Sequence, residues 1–186
     1  MSGYLIKPRH FRKPMKEKLF LALLLIFFGI VCRVLFVNFL RLPNFEIITA
    51  IALVSGALVS GVFTFIIPFC VIAISDTLIG NTSIVVFTWS AFAIVGVFGW
   101  LLRKQKKYLA LKLTLAGVVS VLFFFLYTNF GWWILSSMYP KTLNGLLNCY
   151  VAGLPFLRNQ LFSALLFVPL LSFLCRFVFF FSLLLS

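Results

Sequence analysis

Apolar residues run through this chain in stretches too long to fold around an aqueous-protein core. From Leu19 to Val37 a single charge, Arg33, interrupts the run, and similar stretches recur almost to the end. Hydrophobic residues make up 63% of the 186-residue chain, and the mean hydropathy is +1.18. A helix needs about 20 apolar residues to cross the roughly 30 Å hydrocarbon core of a bilayer. The chain therefore has room for about six crossings and no separate soluble domain. In lipid every backbone polar group must be satisfied internally, so the crossings are helices packed on helices; a barrel would show short alternating segments. The expected fold class is an all-α polytopic bundle.

Six spans are expected, at about 19–37, 47–65, 66–79, 84–102, 108–127 and 160–184. Residues 1–18 form a basic tail and residues 19–186 one transmembrane domain. The run from Leu19 is too long for a signal-peptide core and has no small-x-small cleavage site, so it reads as a retained first span. No charge separates spans two and three. The turn between them must fall between Ser60 and Pro68, and Pro68 suits the first turn of a helix. Residues 128–159 are too apolar for a free loop and too interrupted for a span. Within them Thr142–Leu154 reads as an interfacial helix, capped by Thr142 and stopped by Pro155.

The formal charge is +13. In a soluble protein such a balance points to nucleic acid. Here the cations sit at the ends of apolar runs, which is the pattern of membrane topology and anionic-lipid contact, with no nucleic-acid partner. With the N-terminus inside, the inner side holds Lys7, Arg9, Arg12, Lys13, Lys16, Lys18, Arg103, Lys104, Lys106, Lys107 and Lys112. The outer side holds Arg41, Lys141 and Arg158. Excess positive charge stays inside, so both termini are expected to be cytoplasmic.

Only three acids occur: Glu17, Glu46 and Asp76. Asp76 closes an apolar run that begins at Ile66. A charge at the bilayer centre costs about 2.5–3.5 kcal/mol on insertion scales, so a residue kept there is a functional candidate. The outer half of the expected topology collects further polar and aromatic groups: Arg33, Arg41, Asn44, Asn129, Trp132, Trp133, Tyr139, Tyr150, Arg158 and Asn159. Scattered polar groups converging at one depth are what a small-solute pocket requires. Each also has a plainer reading. The tryptophans and Tyr139 suit an interfacial aromatic belt. Asp76 can pair with Arg33 or Arg158 to orient helices. Arg158 reads equally as a snorkelling anchor or an anion clamp.

Catalysis has little to work with. The one histidine, His10, lies in the basic tail, and no nucleophile–base pair can be built in the membrane. Cys32, Cys70, Cys149 and Cys175 lack metal-ligand spacing, and there is no phosphate-cradling glycine motif. The expectation is a non-enzyme without cofactor or metal, which binds a small molecule. Ala52, Gly56 and Ser60 recur at i, i+4 on the second span. Such a row lets helices approach closely, either within the chain or against a partner protein.

Four pieces occur in order: Arg41-Leu-Pro-Asn-Phe45, Ser75-Asp-Thr-Leu-Ile-Gly80, Thr128-Asn-Phe-Gly-Trp-Trp133, and Met138-Tyr-Pro-Lys-Thr-Leu-Asn-Gly145 running into Leu154-Pro-Phe-Leu-Arg-Asn159. Together they resemble an uncharacterised bacterial family of small transport proteins, which in turn looks like the substrate-binding S components of energy-coupling factor (ECF) vitamin transporters. The resemblance implies a six-helix S-component fold in the bacterial inner (plasma) membrane, with an outward pocket for a vitamin- or nucleobase-like solute. It also implies a coupling subunit and ATPases as partners, docked through small residues on the first helix. Here the first span offers only Ala22 and Gly29, seven apart, where the family carries an Ala-xxx-Ala row.

Overall fold

A computed structural model describes residues 15–80 and 83–184, with side-chain surroundings through Val178. The basic tail through residue 14, with Lys7, Arg9, His10, Arg12 and Lys13, lies outside the described residues. The fold is all-helical. Helix α1 spans Met15–Leu35 and runs on through a π turn, Phe36–Leu40. Helix α2 spans Ile48–Val54 and ends in a second π turn, Ser55–Val59. Then come α3 (Phe63–Ile79), α4 (Val85–Leu101), α5 (Leu109–Leu135) and α6 (Leu143–Leu184).

Three of these are long and apolar enough to cross a membrane: Met15–Leu40, Leu109–Leu135 and Leu143–Val178. The other three, Ile48–Val59, Phe63–Ile79 and Val85–Leu101, are shorter apolar helices. The outside of the bundle is as apolar as its inside. On α1, Leu21, Ala22, Leu25, Gly29 and Cys32 face the core, while Leu19, Phe20, Leu23, Phe27 and Val31 are exposed. An exposed apolar surface of this kind is what a helix long and apolar enough to cross a membrane presents, whereas water-facing monomers rarely show contiguous apolar patches above a few hundred Å².

Neighbouring contacts set the direction of each helix. Gly29 lies against Val71 and Arg33 against Asp76, so α1 and α3 run parallel. Asp76 meets Trp89 and Thr64 meets Gly96, so α4 runs back along α3. Gly131 packs on Phe87, and Phe124 on Phe92, which makes α5 antiparallel to α4. Gly153 sits against Asn129 and Gly117 against Val168, which makes α6 antiparallel to α5. The start of α1, the end of α4 and the start of α5 therefore share one end of the bundle.

Helix α2 is its centre. Every residue from Ile48 to Val54 is buried, and α2 touches all five other helices. A helix apolar on all sides is one that belongs in the core. Its small residues set how close the neighbours come. A methyl on Gly56 would stand 2.6 Å from the backbone nitrogen of Trp100 and would overlap the carbonyl oxygen of Gly96. On α4, a methyl on Gly99 would overlap the carbonyl of Leu53, and one on Gly96 would stand 2.7 Å from the carbonyl oxygen of Thr64.

The boundaries depart from the sequence-based expectation at three places. The turn between the second and third helices falls at Ser60–Val62, and α3 begins at Phe63. Ser60 and Gly61 both take positive φ (63° and 69°), so the Ser-Gly pair is the reversal. Pro68 then lies inside α3 and not in its first turn. It withholds a hydrogen bond from the carbonyl of Thr64, the same carbonyl that faces Gly96.

Helix α5 continues eight residues past the expected end at 127, taking in Asn129, Trp132 and Trp133. The Asn129 amide donates to the carbonyl of Phe125 one turn back (2.8 Å), which absorbs its polarity within the helix.

The expected interfacial helix and sixth span are one helix of 42 residues, about 63 Å long at about 1.5 Å per residue. Thr142 does cap it, its hydroxyl accepting from the Gly145 N–H (3.2 Å). Pro155 does not stop it. Packing on α5 holds the helix through the proline: the Cys149 thiol donates to the Asn129 carbonyl and Tyr150 to the Leu126 carbonyl, and Gly153 seats against Phe125. These contacts outweigh the roughly 3 kcal/mol an interior proline costs.

Candidate functional site

Among the described residues, one charged pair sits in the apolar interior. Asp76, 6% exposed, receives Arg33 Nη1 at 2.5 Å on one carboxylate oxygen and the Trp89 indole N–H at 2.8 Å on the other. Arg33 Nη1 also donates to the Ser75 hydroxyl at 2.5 Å and lies 3.4 Å from the Ile72 carbonyl. Ser75 passes its own proton back to the carbonyl of Val71 (2.6 Å). Three helices thus meet at one carboxylate: α1 supplies the cation, α3 the acid and α4 the indole. Charges taken out of water are held only when each is paired and its remaining hydrogen-bonding groups are satisfied.

Trp89 also lines an apolar groove between α3 and α4 that holds about 170 Å³. Phe69, Ile72, Phe92 and Ala93 form much of its wall. Phe69 meets the Trp89 ring edge-on, with centroids 5.2 Å apart. Ile72 and Trp89 line the groove and also bond to the ion pair, Ile72 through its carbonyl and Trp89 through its indole N–H, so the two features are neighbours.

A second polar cluster sits where the turn after α1 enters α2. Glu46 accepts from the Thr49 N–H (2.9 Å) and Thr49 hydroxyl (2.5 Å), and Gln160 of α6 donates to it at 3.3 Å. Asn159 donates to the Pro43 carbonyl at 3.0 Å, so α6 is tied to this turn twice. Burial pushes the Glu46 carboxyl up from its ordinary 4.5, and the bonds from Thr49 and Gln160 pull it part of the way back. The folded state therefore holds this proton more tightly than the unfolded chain. That stability is fully present below the ordinary value and is lost as pH rises through the folded one. We expect the melting temperature in detergent to fall as pH rises above 4.5, and Glu46→Gln to flatten that decline. A variant with an unchanged pH profile would remove Glu46 as its source.

The other expected site residues lie elsewhere, and the hydrogen bonds they make go to backbone carbonyls of this chain. Arg41 and Asn44 are exposed and take left-handed backbone (φ 51° and 56°), forming the turn itself. Asn129 is engaged by its own helix, and Tyr150 donates to the Leu126 carbonyl at 3.0 Å. Trp133 donates to the Pro140 carbonyl at 3.0 Å, with Lys141 bonded to the Trp133 carbonyl beneath it. Trp132 and Tyr139 are half-buried near this α5–α6 turn, and Arg158 is exposed on α6. Thus Arg33 and Asp76 are brought together, Asn159 joins the α1–α2 turn, and the aromatic residues form the α5–α6 hairpin. The single cup expected from the sequence is replaced by these three clusters.

Ala52 and Gly56 are buried against neighbouring helices, and Ser60 lies half-buried in the turn, so the first two residues of the row serve packing within the chain. Trp89 and Gln160 were absent from the sequence-based site. The signal for Trp89 was an indole donor inside an apolar run next to the run that carries Asp76.

Helices, burial pattern and ion pair define an all-α protein with three helices long and apolar enough to cross a membrane. The chain belongs to the DUF6580 family, a family of unknown function, which it matches over residues 13–180. No curated protein and no solved structure matches it.

Proposed function

We propose that this chain is a solute-binding membrane transport protein, built along the lines of an ECF S component and taking up a small vitamin- or nucleobase-like molecule. The observation that carries the reading is the Arg33–Asp76–Trp89 cluster, whose Trp89 also lines the neighbouring α3–α4 groove. Ionisable groups among apolar helices mark solute or ion pathways by default. A planar ring would lie against Trp89, Phe69 and Phe92, and a partial negative charge would be met by Arg33. On this reading the topology is that of the positive-inside rule, with both termini cytoplasmic, and energy comes from a coupling subunit with ATPases.

Melting curves of the purified protein against vitamins and nucleobases test it. A ligand held only by the folded state adds about 2.7 kcal/mol at 100 times its dissociation constant, a readily seen shift. The stabilising solute should lose its effect on Ala93→Phe, which fills the groove and leaves the ion pair intact. A solute that stabilises the filled variant equally would put the site elsewhere.

A second reading, a structural or assembly protein, draws on one observation. Asn129, Trp133, Tyr150 and Asn159 direct their hydrogen bonds inward to the chain. Co-purification separates the two, since recovery of ATPases with the chain favours transport and recovery of another membrane protein favours assembly. A stand-alone facilitator would bring down neither and would still bind solute.

A further inference from the structure

The densest cationic feature among the described residues is the short connection between α4 and α5. Arg103, Lys104, Lys106 and Lys107 fall within five consecutive positions. Among the described residues none of them is ion-paired; the one such pair is Arg33–Asp76. Lys16 and Lys18 of α1 lie at the same end of the bundle, as the helix directions require.

The loop is shaped as well as charged. The Arg103 guanidinium carbon lies over the Trp100 ring, 3.5 Å from its centroid, and Nη1 donates to the Trp100 carbonyl at 2.9 Å. At the far end Lys107 lies over the Tyr108 ring at 5.0 Å. Lys112 reaches back to the Gln105 side chain at 2.6 Å and ties the middle of the loop to α5. Two cations are thus seated on aromatic faces, with Lys104 and Lys106 exposed between them. A guanidinium fixed by stacking presents its remaining N–H donors in a rigid fork, the geometry that suits phosphate oxygens.

The flanks say which phosphate. Leu101 (60% exposed), Tyr108 (65%) and Leu111 (59%) border the loop on both helices, and apolar surface of that kind lies against acyl chains. A seven-residue link between adjacent antiparallel helices cannot reach far from that surface, so its cations stand at headgroup depth. We propose that the α4–α5 loop is a binding site for the phosphate of anionic phospholipid, with Arg103 on its Trp100 platform as the anchor and Lys104, Lys106 and Lys107 completing it.

The test compares the full chain in nanodiscs of phosphatidylglycerol with nanodiscs of phosphatidylcholine, reading the melting temperature, and measures lipid retained on the purified protein by mass spectrometry. Wild-type protein should melt higher in phosphatidylglycerol, with the gap narrowing as salt is raised. The triple variant Lys104→Gln/Lys106→Gln/Lys107→Gln should lose that gap and retain about tenfold less phosphatidylglycerol. Trp100→Leu, which keeps every charge, should also lower retention if Arg103 must be held in place. Equal melting in the two lipids, or a triple variant with full preference, overturns the proposal. So does glycerol phosphate in detergent if it reproduces the whole effect, since the occupant would then be a free phosphate. Solute binding in the α3–α4 groove is read separately and is untouched by either result.

Discussion

Asp76→Ala should destabilise the protein by about 3–5 kcal/mol, the usual effect of breaking one partner out of a buried pair. The loss falls on what remains. Arg33 keeps its charge with only Ser75 and the Ile72 carbonyl to receive it, and the Trp89 N–H loses its acceptor. For a chain of this size the melting temperature in detergent should drop by roughly 10 °C. The double variant Arg33→Leu/Asp76→Leu should recover most of the loss, because an apolar replacement for a buried pair is often neutral or stabilising. That contrast separates an effect of leaving a charge unmatched from an effect of lost packing. If Asp76→Ala melts with the wild type, the three helices are not joined through this carboxylate.

Gly99→Val should cost about 3 kcal/mol, the upper end of what overpacking a core does. Most overpacked sites relax by turning a side chain. Here the added carbon meets the backbone of Leu53, which belongs to the one helix buried on every side. Relief requires α2 and α4 to move apart, and Gly56 and Gly96 hold the same contact. Gly56→Ala should behave similarly, and combining it with Gly99→Val should add less than the sum, since one wedge already opens the interface. Fully additive effects would show that the two glycines act at independent contacts.

Much of the fold was legible because lipid makes a strong demand. Backbone groups in an apolar medium close on themselves, so long apolar runs imply helices; the structure is all-helical, with three helices long and apolar enough to cross a membrane and three shorter ones. The helix start at Thr142 was legible too, whereas the reversal between the second and third helices was narrowed only to the stretch from Ser60 to Pro68, and the structure put it at Ser60-Gly61. Asn129 and Pro155 look like breaks in isolation; in the structure Asn129 turns its amide onto the Phe125 carbonyl of its own helix, and Pro155 is carried through by the packing of α6 on α5. A one-dimensional pattern shows that an interruption is present and not whether a neighbour will absorb it.

The candidate site divides along the same line. The sequence by itself determined that an acid and an arginine would share an apolar environment, because their types and positions are read directly and the cost of leaving either alone is known. It left open whether Asp76 meets Arg33 or Arg158, since pairing depends on which helices touch. Tertiary structure decided for Arg33, brought Trp89 to the other carboxylate oxygen, and sent the remaining polar groups into two other clusters. Composition and periodicity set the solvent and the secondary structure, which are local properties. Which side chains meet is a property of helix packing, and that is fixed by contacts between residues far apart in the chain.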